Sequence, residues 1–224
     1  NEIFAVDISS DGEYIVAGSK NEKAYLFRYN SSSYVWRYDV GNDVYAVSIS
    51  SDGEYIAVGG KNSKLFFFEG TDGDPLWTSD ELEGDIVEIS ISSDGGYIAV
   101  GTDANSYGYL YLFSKDDAEP VWVDTTLGVV ASLEIDSDGT NIALASEDYY
   151  VYYYSTSSSS SIWEYETSNK ATSVSLSSDG TFLAAGSQDK YLYFFNTSSS
   201  QPLWSSLTGA SVSSVSLTSD GSNM

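Results

Sequence analysis

The stretch Ser-Ile-Ser-Ser-Asp-Gly-Glu-Tyr-Ile-Ala-Val-Gly at residues 48–59 decides the fold, because variants of it recur along the whole chain. Its Ser-Asp-Gly core occurs six times, at spacings of 41, 42, 44, 41 and 41 residues. The six aspartates are Asp11, Asp52, Asp94, Asp138, Asp179 and Asp220. A fixed period of this length predicts a repeat protein in which each unit is one supersecondary structure.

Tryptophan follows the same period. The distance from each repeat aspartate to the next tryptophan is 25 residues in four units and 28 in the third. The five tryptophans are Trp36, Trp77, Trp122, Trp163 and Trp204. Equivalent copies favour a structural role, in which the indole packs on the adjacent unit and its N–H donates to a carbonyl. A platform for a sugar or a quinone is the alternative.

One unit, residues 43–84, divides into four short apolar segments. They lie at 44–49, 55–59, 65–68 and 76–79, and they are separated by turn sequences. In the first turn Asp52 is expected to accept hydrogen bonds from the amides just ahead of it, and Gly53 to adopt a positive φ. Four strands in each unit of about 40 residues predict the blade of a β-propeller.

The third segment of each unit is apolar or aromatic on both faces, as in Leu65–Phe68 and Tyr191–Phe195. A strand covered on both sides fits a sheet clamped between two neighbours. We therefore expect an all-β propeller of four-stranded antiparallel blades, with five complete repeats and one extra strand. The whole chain, 1–224, is then a single propeller or a propeller fragment. The expected units are 3–41, 42–83, 84–127, 128–168, 169–209 and a partial sixth, 210–224.

Both ends of the chain offer a first strand, since residues 212–217 repeat the pattern of residues 3–8. We expect the chain to be part of a larger propeller of about six to eight blades, or to close by pairing with another chain. An open end would expose strand edges and apolar faces that favour self-association.

Acidic residues outnumber basic ones by 33 to 9, which gives a formal net charge of −24. Such a surface repels phosphate backbones and anionic lipids, so nucleic acid is excluded as a partner. The apolar runs are too short to cross a bilayer, so membrane insertion is excluded as well. The acidity itself is interpreted either as solvation in a saline medium or as a surface for cations or a basic partner.

The chain has no cysteine and no histidine. Disulfides, thiolate zinc sites and triads with an imidazole are therefore excluded. The first residues do not resemble a signal peptide. Two glycosylation sequons, at Asn30 and Asn196, favour an extracellular or cell-surface location, and a cytoplasmic location stays open.

Function in a repeat protein is expected where one unit departs from the others. The link between Trp77 and Asp94 is one residue longer than its equivalents, and the second turn of the third unit is three residues longer. In a propeller these two connections lie on one face, so they should be neighbours. The candidate ligand patch that they form is Glu81, Glu83, Asp85, Asp103, Asn105 and Tyr107. These residues could bind Ca²⁺ or a polar ligand. The alternative is that the insertions are solvent-exposed loops whose sequence has diverged without a function.

The residues quoted at 48–59, continued by Lys64-Leu65-Phe66-Phe67-Phe68, resemble a WD-type repeat, although no Gly-His opens it and no Trp-Asp closes it. Pro-Leu-Trp at 75–77 and 202–204 resembles the fourth strand of quinoprotein-like (PQQ-type) propellers. The chain is thus similar to mixed WD-like and PQQ-like repeat proteins of archaeal and bacterial surfaces. The resemblance implies a propeller fold and says much less about function.

The function expected from these observations is a non-enzymatic protein-interaction or cell-surface scaffold without catalytic residues or a bound cofactor. The alternatives are a glycan-binding module that stacks sugars on exposed tyrosines, and a quinoprotein dehydrogenase. The second would need a quinone held by calcium, an Asp base and a stacking Trp, and no unit carries a unique Asp with supporting Arg and Asn. A hydrolase with paired carboxylates is disfavoured because the repeats single out no pair.

Overall fold

The computed structural model describes residues 2–224, which form twenty β-strands and no helix. Each group of four consecutive strands makes one antiparallel sheet. The first strands of successive sheets lie side by side, and each sheet packs face to face on the next. The predicted all-β architecture of propeller blades is therefore confirmed. We call the sheets blades 1 to 5 in chain order.

The strands of blade 1 are β1 (Ile3–Ile8), β2 (Tyr14–Ser19), β3 (Lys23–Arg28) and β4 (Tyr34–Asp39). Those of blade 2 are β5 (Val44–Ile49), β6 (Tyr55–Gly60), β7 (Phe66–Glu69) and β8 (Pro75–Thr78). Those of blade 3 are β9 (Asp85–Ile91), β10 (Tyr97–Asp103), β11 (Gly108–Ser114) and β12 (Trp122–Thr126). Those of blade 4 are β13 (Val130–Ile135), β14 (Asn141–Ser146), β15 (Tyr150–Ser155) and β16 (Trp163–Glu166). Those of blade 5 are β17 (Ala171–Leu176), β18 (Phe182–Ser187), β19 (Tyr191–Asn196) and β20 (Trp204–Leu207).

The Ser-Asp-Gly corner turns the chain from the first strand of a blade to the second. In blade 1, Asp11 Oδ1 accepts hydrogen bonds from the Ser9 hydroxyl (2.7 Å) and from the N–H of Glu13 (2.8 Å). Gly12 has a φ of 72°, which a side chain would strain. Blade 4 departs from this scheme, because Asp136 replaces the serine and accepts hydrogen bonds from the N–H groups of both residues that follow Gly139. The aspartates of the corners are thus engaged in turn formation.

The corners also bind one another. The N–H of Ser10 donates to the carbonyl of Ser51 (2.9 Å), and the next corner repeats this bond from Ser51 to Ser93 (3.1 Å). The series continues through Ser137 and Ser178 to Ser219. Blades 1 to 4 therefore each donate one such backbone hydrogen bond to the blade that follows, and blade 5 donates the equivalent bond to Ser219 beyond its last strand.

The turn between the second and third strands holds a non-glycine residue in the left-handed region in every blade. Blade 3 has Asn105 and Ser106 there, and each of the other four blades has one such residue. These residues are Glu22 (φ 68°), Ser63 (φ 57°), Tyr149 (φ 81°) and Lys190 (φ 75°). Tyr149 continues the aromatic run of β15 in the sequence, but it lies in the turn ahead of that strand. An L side chain at such a φ crowds the following carbonyl, and glycine does not.

This conformation predicts an unusual order of stabilities at Lys190. We expect Lys190→Gly to be more stable than Lys190→Ala by about 1 kcal/mol, since both variants lose the side chain and only alanine keeps the strained Cβ. Urea denaturation of the two variants measures the difference. A higher stability of the alanine variant would contradict the assignment of strain to this turn.

The blades pack through close backbone approach near the axis. An ideal Cβ on Gly59 of blade 2 would lie 2.7 Å from a methyl group of Ile86 in blade 3, and Gly18 and Gly101 meet the next blade in the same way. Together with aliphatic and aromatic side chains, these contacts give an apolar cluster at each of the four junctions. Small residues in the second strand therefore allow the wedge-like stacking of sheets.

The tryptophans link each blade to the next at the outer end of the junction. Trp36 stacks on Phe68 of blade 2 with ring centroids 4.9 Å apart, and its N–H donates to the carbonyl of Gly70 (3.4 Å). Three more indole N–H groups donate to the carbonyl at the equivalent position of the next blade, at distances of 2.8, 2.7 and 2.7 Å. They belong to Trp77, Trp122 and Trp163. The indole of Trp204 has no such acceptor within residues 2–224.

A third set of bonds connects the first strands. A side-chain oxygen of each blade accepts a hydrogen bond from a backbone N–H of the next, as Asp7 does from Ile49 (3.0 Å) and Glu134 from Leu176 (2.8 Å). At the other two junctions the hydroxyls of Ser48 and Ser90 accept the equivalent bonds from the N–H groups of the next blade. The hydroxyl of Ser175 in blade 5 accepts the same bond from the N–H of Leu217. One oxygen-bearing residue in each first strand therefore fixes the register between blades.

The predicted extra strand, residues 212–217, differs from the expectation. It lies beside β17, and the N–H groups of Val215 and Leu217 donate to the hydroxyls of Ser173 and Ser175. It forms no ladder, because the second strand that would pair with it is not among residues 2–224. We call residues 211–224, which include it, the C-terminal segment.

Candidate functional site

The two longer connections of blade 3 meet on one side of the disc. Asp85 and Asp103 are paired residues of β9 and β10, beyond an irregularity in the register. An ideal Cβ on Gly84 (φ 90°) would lie within 2.6 Å of the Asp103 carbonyl carbon. Glycine is needed there because the backbones of the two connections touch.

The pKa of the Asp85 carboxyl is raised at this position. Partial burial raises the pKa of its carboxyl, the nearby Asp103 carboxylate raises it further, and Lys61 opposes both effects. Asp103 Oδ1 itself accepts a hydrogen bond from the N–H of Asn105 (3.0 Å). Asn105 (φ 58°) and Ser106 (φ 103°) hold the inserted turn in a conformation that favours glycine.

Two residues of the predicted patch, Asp103 and Asn105, line an open cavity of about 500 Å³. The other lining residues come from the inserted turn and from blades 4 and 5, namely Ser106, Leu127, Gly128, Val129, Glu147 and Lys170. A cavity of this size with carboxylates, an amide and an amine can accept a small polar group.

The other four residues of the patch do not line this cavity, although Asp85 lies beside the lining residue Asp103. Glu81 and Glu83 are exposed on the link into blade 3, where the N–H of Glu83 donates to the hydroxyl of Tyr111 (3.0 Å). Tyr107 is exposed at the tip of the inserted turn. The structure therefore does not gather the six predicted residues into one site. Within residues 2–224, no group of three or more acidic side chains is placed to hold a metal ion.

Sequence reasoning did not identify the ion pair at the edge of the cavity. Lys170 Nζ lies 2.6 Å from a carboxylate oxygen of Glu147, and both side chains are about one-third exposed. They belong to different repeats and occupy the same kinds of connection as Asp85 and Asp103. Alignment of the repeats would have shown these positions, and the ring geometry is needed to show that they meet.

A second exposed apolar surface is the leading face of blade 1, by which we mean the side turned to a preceding repeat. It consists of Ile3, Val6, Ile8, Ile15, Tyr25 and Phe27. Val6 is 67% exposed and Ile8 is 54% exposed, whereas their equivalents in blade 2, Val47 and Ile49, are each 7% exposed. The difference arises because blade 1 has no blade in front of it among residues 2–224.

The opposite end of the stack carries the trailing face of blade 5, which consists of Leu192, Phe194 and Trp204. Together with the C-terminal segment it forms an open groove of about 530 Å³. Trp204 stacks on Phe194 with centroids 5.3 Å apart, and it remains 44% exposed, against 6% for Trp36. This groove lies where the later strands of a sixth blade would pack.

No helix in residues 2–224 combines the length and the apolar character that a transmembrane span requires.

Two protein-family models match parts of the chain. The model described as outer membrane protein assembly factor BamB, built on PQQ-type repeats, matches residues 3–105, and the model described as WD domain, G-beta repeat, matches residues 159–196. No curated protein gave a significant match. The matches fall on the two halves of one continuous repeat series, whose five sheets share corners, tryptophans and register. The two matches therefore support the similarity of this chain to WD-like and PQQ-like β-propeller repeats.

Proposed function

We propose that this chain is a non-enzymatic interaction scaffold that associates with another polypeptide through its open blade faces. The observation that carries the proposal is the exposed leading face of blade 1, whose equivalents are buried in every other blade. Contiguous apolar surface of this kind marks sites of protein–protein contact. The complementary groove at blade 5 gives the scaffold a second surface of the same character.

The residues that recur in every unit support a role without catalysis. The repeat aspartates accept hydrogen bonds inside their own corners, and four of the five indoles donate to the next blade. Groups that are held in this way are engaged in folding and are not free for chemistry. A position at the cell surface, where the exposed Asn30 could carry a glycan, is part of the same proposal.

A fused repeat tests whether the leading face accepts a polypeptide. A second copy of residues 169–210 is joined in front of Glu2, which continues the natural repeat register. Burial of three aliphatic side chains should raise the free energy of unfolding of blade 1 by at least about 2 kcal/mol. Hydrogen exchange of the β1–β4 amides measures this change locally.

The matched control is the same fusion with Val6→Asp, which places a charge in the new junction. We expect the added repeat to give no protection to β1–β4 in that variant. Equal protection with and without the aspartate, or no protection in either fusion, would show that the face does not accept a blade.

A further inference from the structure

We propose that a cavity at the axis of the propeller binds a small organic cation of the alkylammonium class, with Glu88 as the residue that pairs with its charge. This inference goes beyond the proposed contact with another polypeptide. It rests on the first strands of blades 1 to 3, which lie side by side around the axis.

Glu88 departs from the other repeats at its position in the first strand. The residues at the same register in blades 1, 2, 4 and 5 are Ala5, Ala46, Ser132 and Ser173. The hydroxyls of the two serines accept hydrogen bonds from backbone N–H groups of the chain that follows, at 3.3 and 3.1 Å. An alanine or a serine is therefore sufficient for the fold at this position, and a glutamate is not required.

The carboxyl of Glu88 has no structural partner. Asp7 and Glu134 lie two residues further along their own first strands, and each accepts a hydrogen bond from a backbone N–H of the next blade, at 3.0 and 2.8 Å. Within residues 2–224, Glu88 makes neither a hydrogen bond nor an ion pair, and burial is what perturbs its carboxyl. The register between blades therefore uses Asp7 and Glu134 and leaves the carboxyl of Glu88 free for a ligand.

Glu88 lines a cavity of about 400 Å³ that touches β1, β5 and β9 at equivalent positions. The lining residues are 4–6, 45–47 and 87–89. Each of these strands is the edge strand of its sheet, and each lies next to the first strand of the following blade. The cavity therefore lies on the axial side of the stack. Further blades of a ring would surround the same axis and enclose the cavity.

The lining of the cavity indicates which kind of cation it takes. Glu88 is the one charged residue of the lining, so the cavity does not supply the set of about six to eight oxygen ligands that Ca²⁺ takes. Phe4 and Tyr45 also line it, and their rings contact each other edge to face with centroids 5.4 Å apart. Aromatic rings attract organic cations, and the aliphatic residues of the lining suit a short hydrocarbon chain. An ammonium group on a small apolar body fits this combination.

The energetics of Glu88 also favour a ligand of opposite charge. Burial raises the pKa of its carboxyl from 4.5 to about 7, so its ionisation destabilises the fold as long as the cavity holds no cation. The serine of blades 4 and 5 carries no such cost. An ammonium ion beside the carboxylate would offset the cost of its burial. A costly ionisable group that lines a cavity is typical of a binding site.

Titration of the full chain with n-butylammonium at pH 8.5, where Glu88 is ionised, tests the site. We expect saturable binding in the millimolar range, since the ligand is small. In ¹H–¹⁵N spectra the amides of residues 4–6, 45–47 and 87–89 should shift, and those of the outer strands should not. n-Butanol has the same hydrocarbon chain without the charge, and it should bind at least about tenfold more weakly.

Two variants separate the carboxylate of Glu88 from the general attraction of an acidic chain for cations. Glu88→Ser reproduces the residue of blades 4 and 5, so it should fold at least as stably as the original chain at pH 8.5. It should bind n-butylammonium at least about tenfold more weakly. Glu54→Gln removes one negative charge at an exposed position of blade 2, and its affinity should equal that of the original chain.

Equal affinities of Glu88→Ser and the original chain would overturn the proposal, and so would equal affinities for n-butylammonium and n-butanol. Shifts that spread over the acidic surface without saturation would overturn it as well, because they would show accumulation of cations without a site. The fused repeat that tests the proposed function acts on the outer face of blade 1. Its failure would therefore leave the result of this titration unchanged.

Discussion

Replacement of Trp36 by alanine should lower the free energy of unfolding by about 3–5 kcal/mol, and replacement of Trp204 by alanine should lower it by less than about 1 kcal/mol. The two tryptophans occupy the same position in their repeats. Trp36 is 6% exposed, stacks on Phe68 and donates to Gly70, whereas Trp204 is 44% exposed and lacks the second blade. The comparison therefore isolates the contribution of the junction from the contribution of the residue type.

The loss should be local as well as large. Each blade contacts only its neighbours, so the stability of the stack is a sum of blade and junction contributions. Weakening the first junction should release blade 1 while blades 2 to 5 remain folded. Hydrogen exchange should then show loss of protection in β1–β4 alone, and circular dichroism should show a transition in two steps.

The outcome that would contradict this account is an equal loss of stability in both variants. It would mean that the indole stabilises its own blade and that the stacking across the junction is incidental. The low-salt state of the protein should be used for both measurements, since self-association would cover Trp204 and reduce the contrast.

The sequence contains enough information for the fold because each local signal repeats. The repeat length, the Ser-Asp-Gly corner and the tryptophan spacing recur along the chain, so an irregular residue in one unit does not change the predicted fold. The limits of β5 and of the other strands follow from alternation and turn residues to within a residue or two. The exception is the expected strand at 212–217, which forms no ladder. Tyr149 shows a finer limit, because its positive φ has no mark in the aromatic run that leads into β15.

The candidate site was less accessible to sequence reasoning. Asp85 and Asp103 could be placed together because they belong to the connections of one blade. The cavity also needs Glu147 and Lys170, which lie in later repeats and approach only when the blades are stacked around an axis. The distance between such residues depends on blade spacing and twist, which periodicity alone does not give.

The hydrogen bonds between the first strands of neighbouring blades could be predicted in part. Aligned repeats show Asp7, a serine or Glu134 at one position, which indicates a requirement for a side-chain oxygen. Only the structure shows that the oxygen serves the next blade. Glu88 lies two residues before this position in β9. The equivalent residues are Ala46 in blade 2 and Ser132 in blade 4.

Substitution of Glu88 by glutamine should stabilise the protein at pH 8.5 and have little effect at pH 4. Glu88 lines a cavity of about 400 Å³ whose other lining residues are aliphatic or aromatic, and burial raises the pKa of its carboxyl from 4.5 to about 7. The folded state therefore holds the proton more tightly than the unfolded state. Stability should fall as the pH rises from about 4.5 to 7, and the full cost of ionising Glu88, about 3 kcal/mol, should be present above that range.

Glutamine keeps the shape of the side chain and cannot ionise, so the variant should lose this part of the pH dependence. Removal of any negative charge from so acidic a chain relieves some general repulsion at high pH. Glu54→Gln, at an exposed glutamate of the adjacent blade, measures that general effect and is subtracted. Urea denaturation of the three proteins from pH 4 to pH 8.5 gives the difference. If the two variants gain the same stability at pH 8.5, the carboxyl of Glu88 is ionised without cost, and its burial beside the cavity is not what limits stability at high pH.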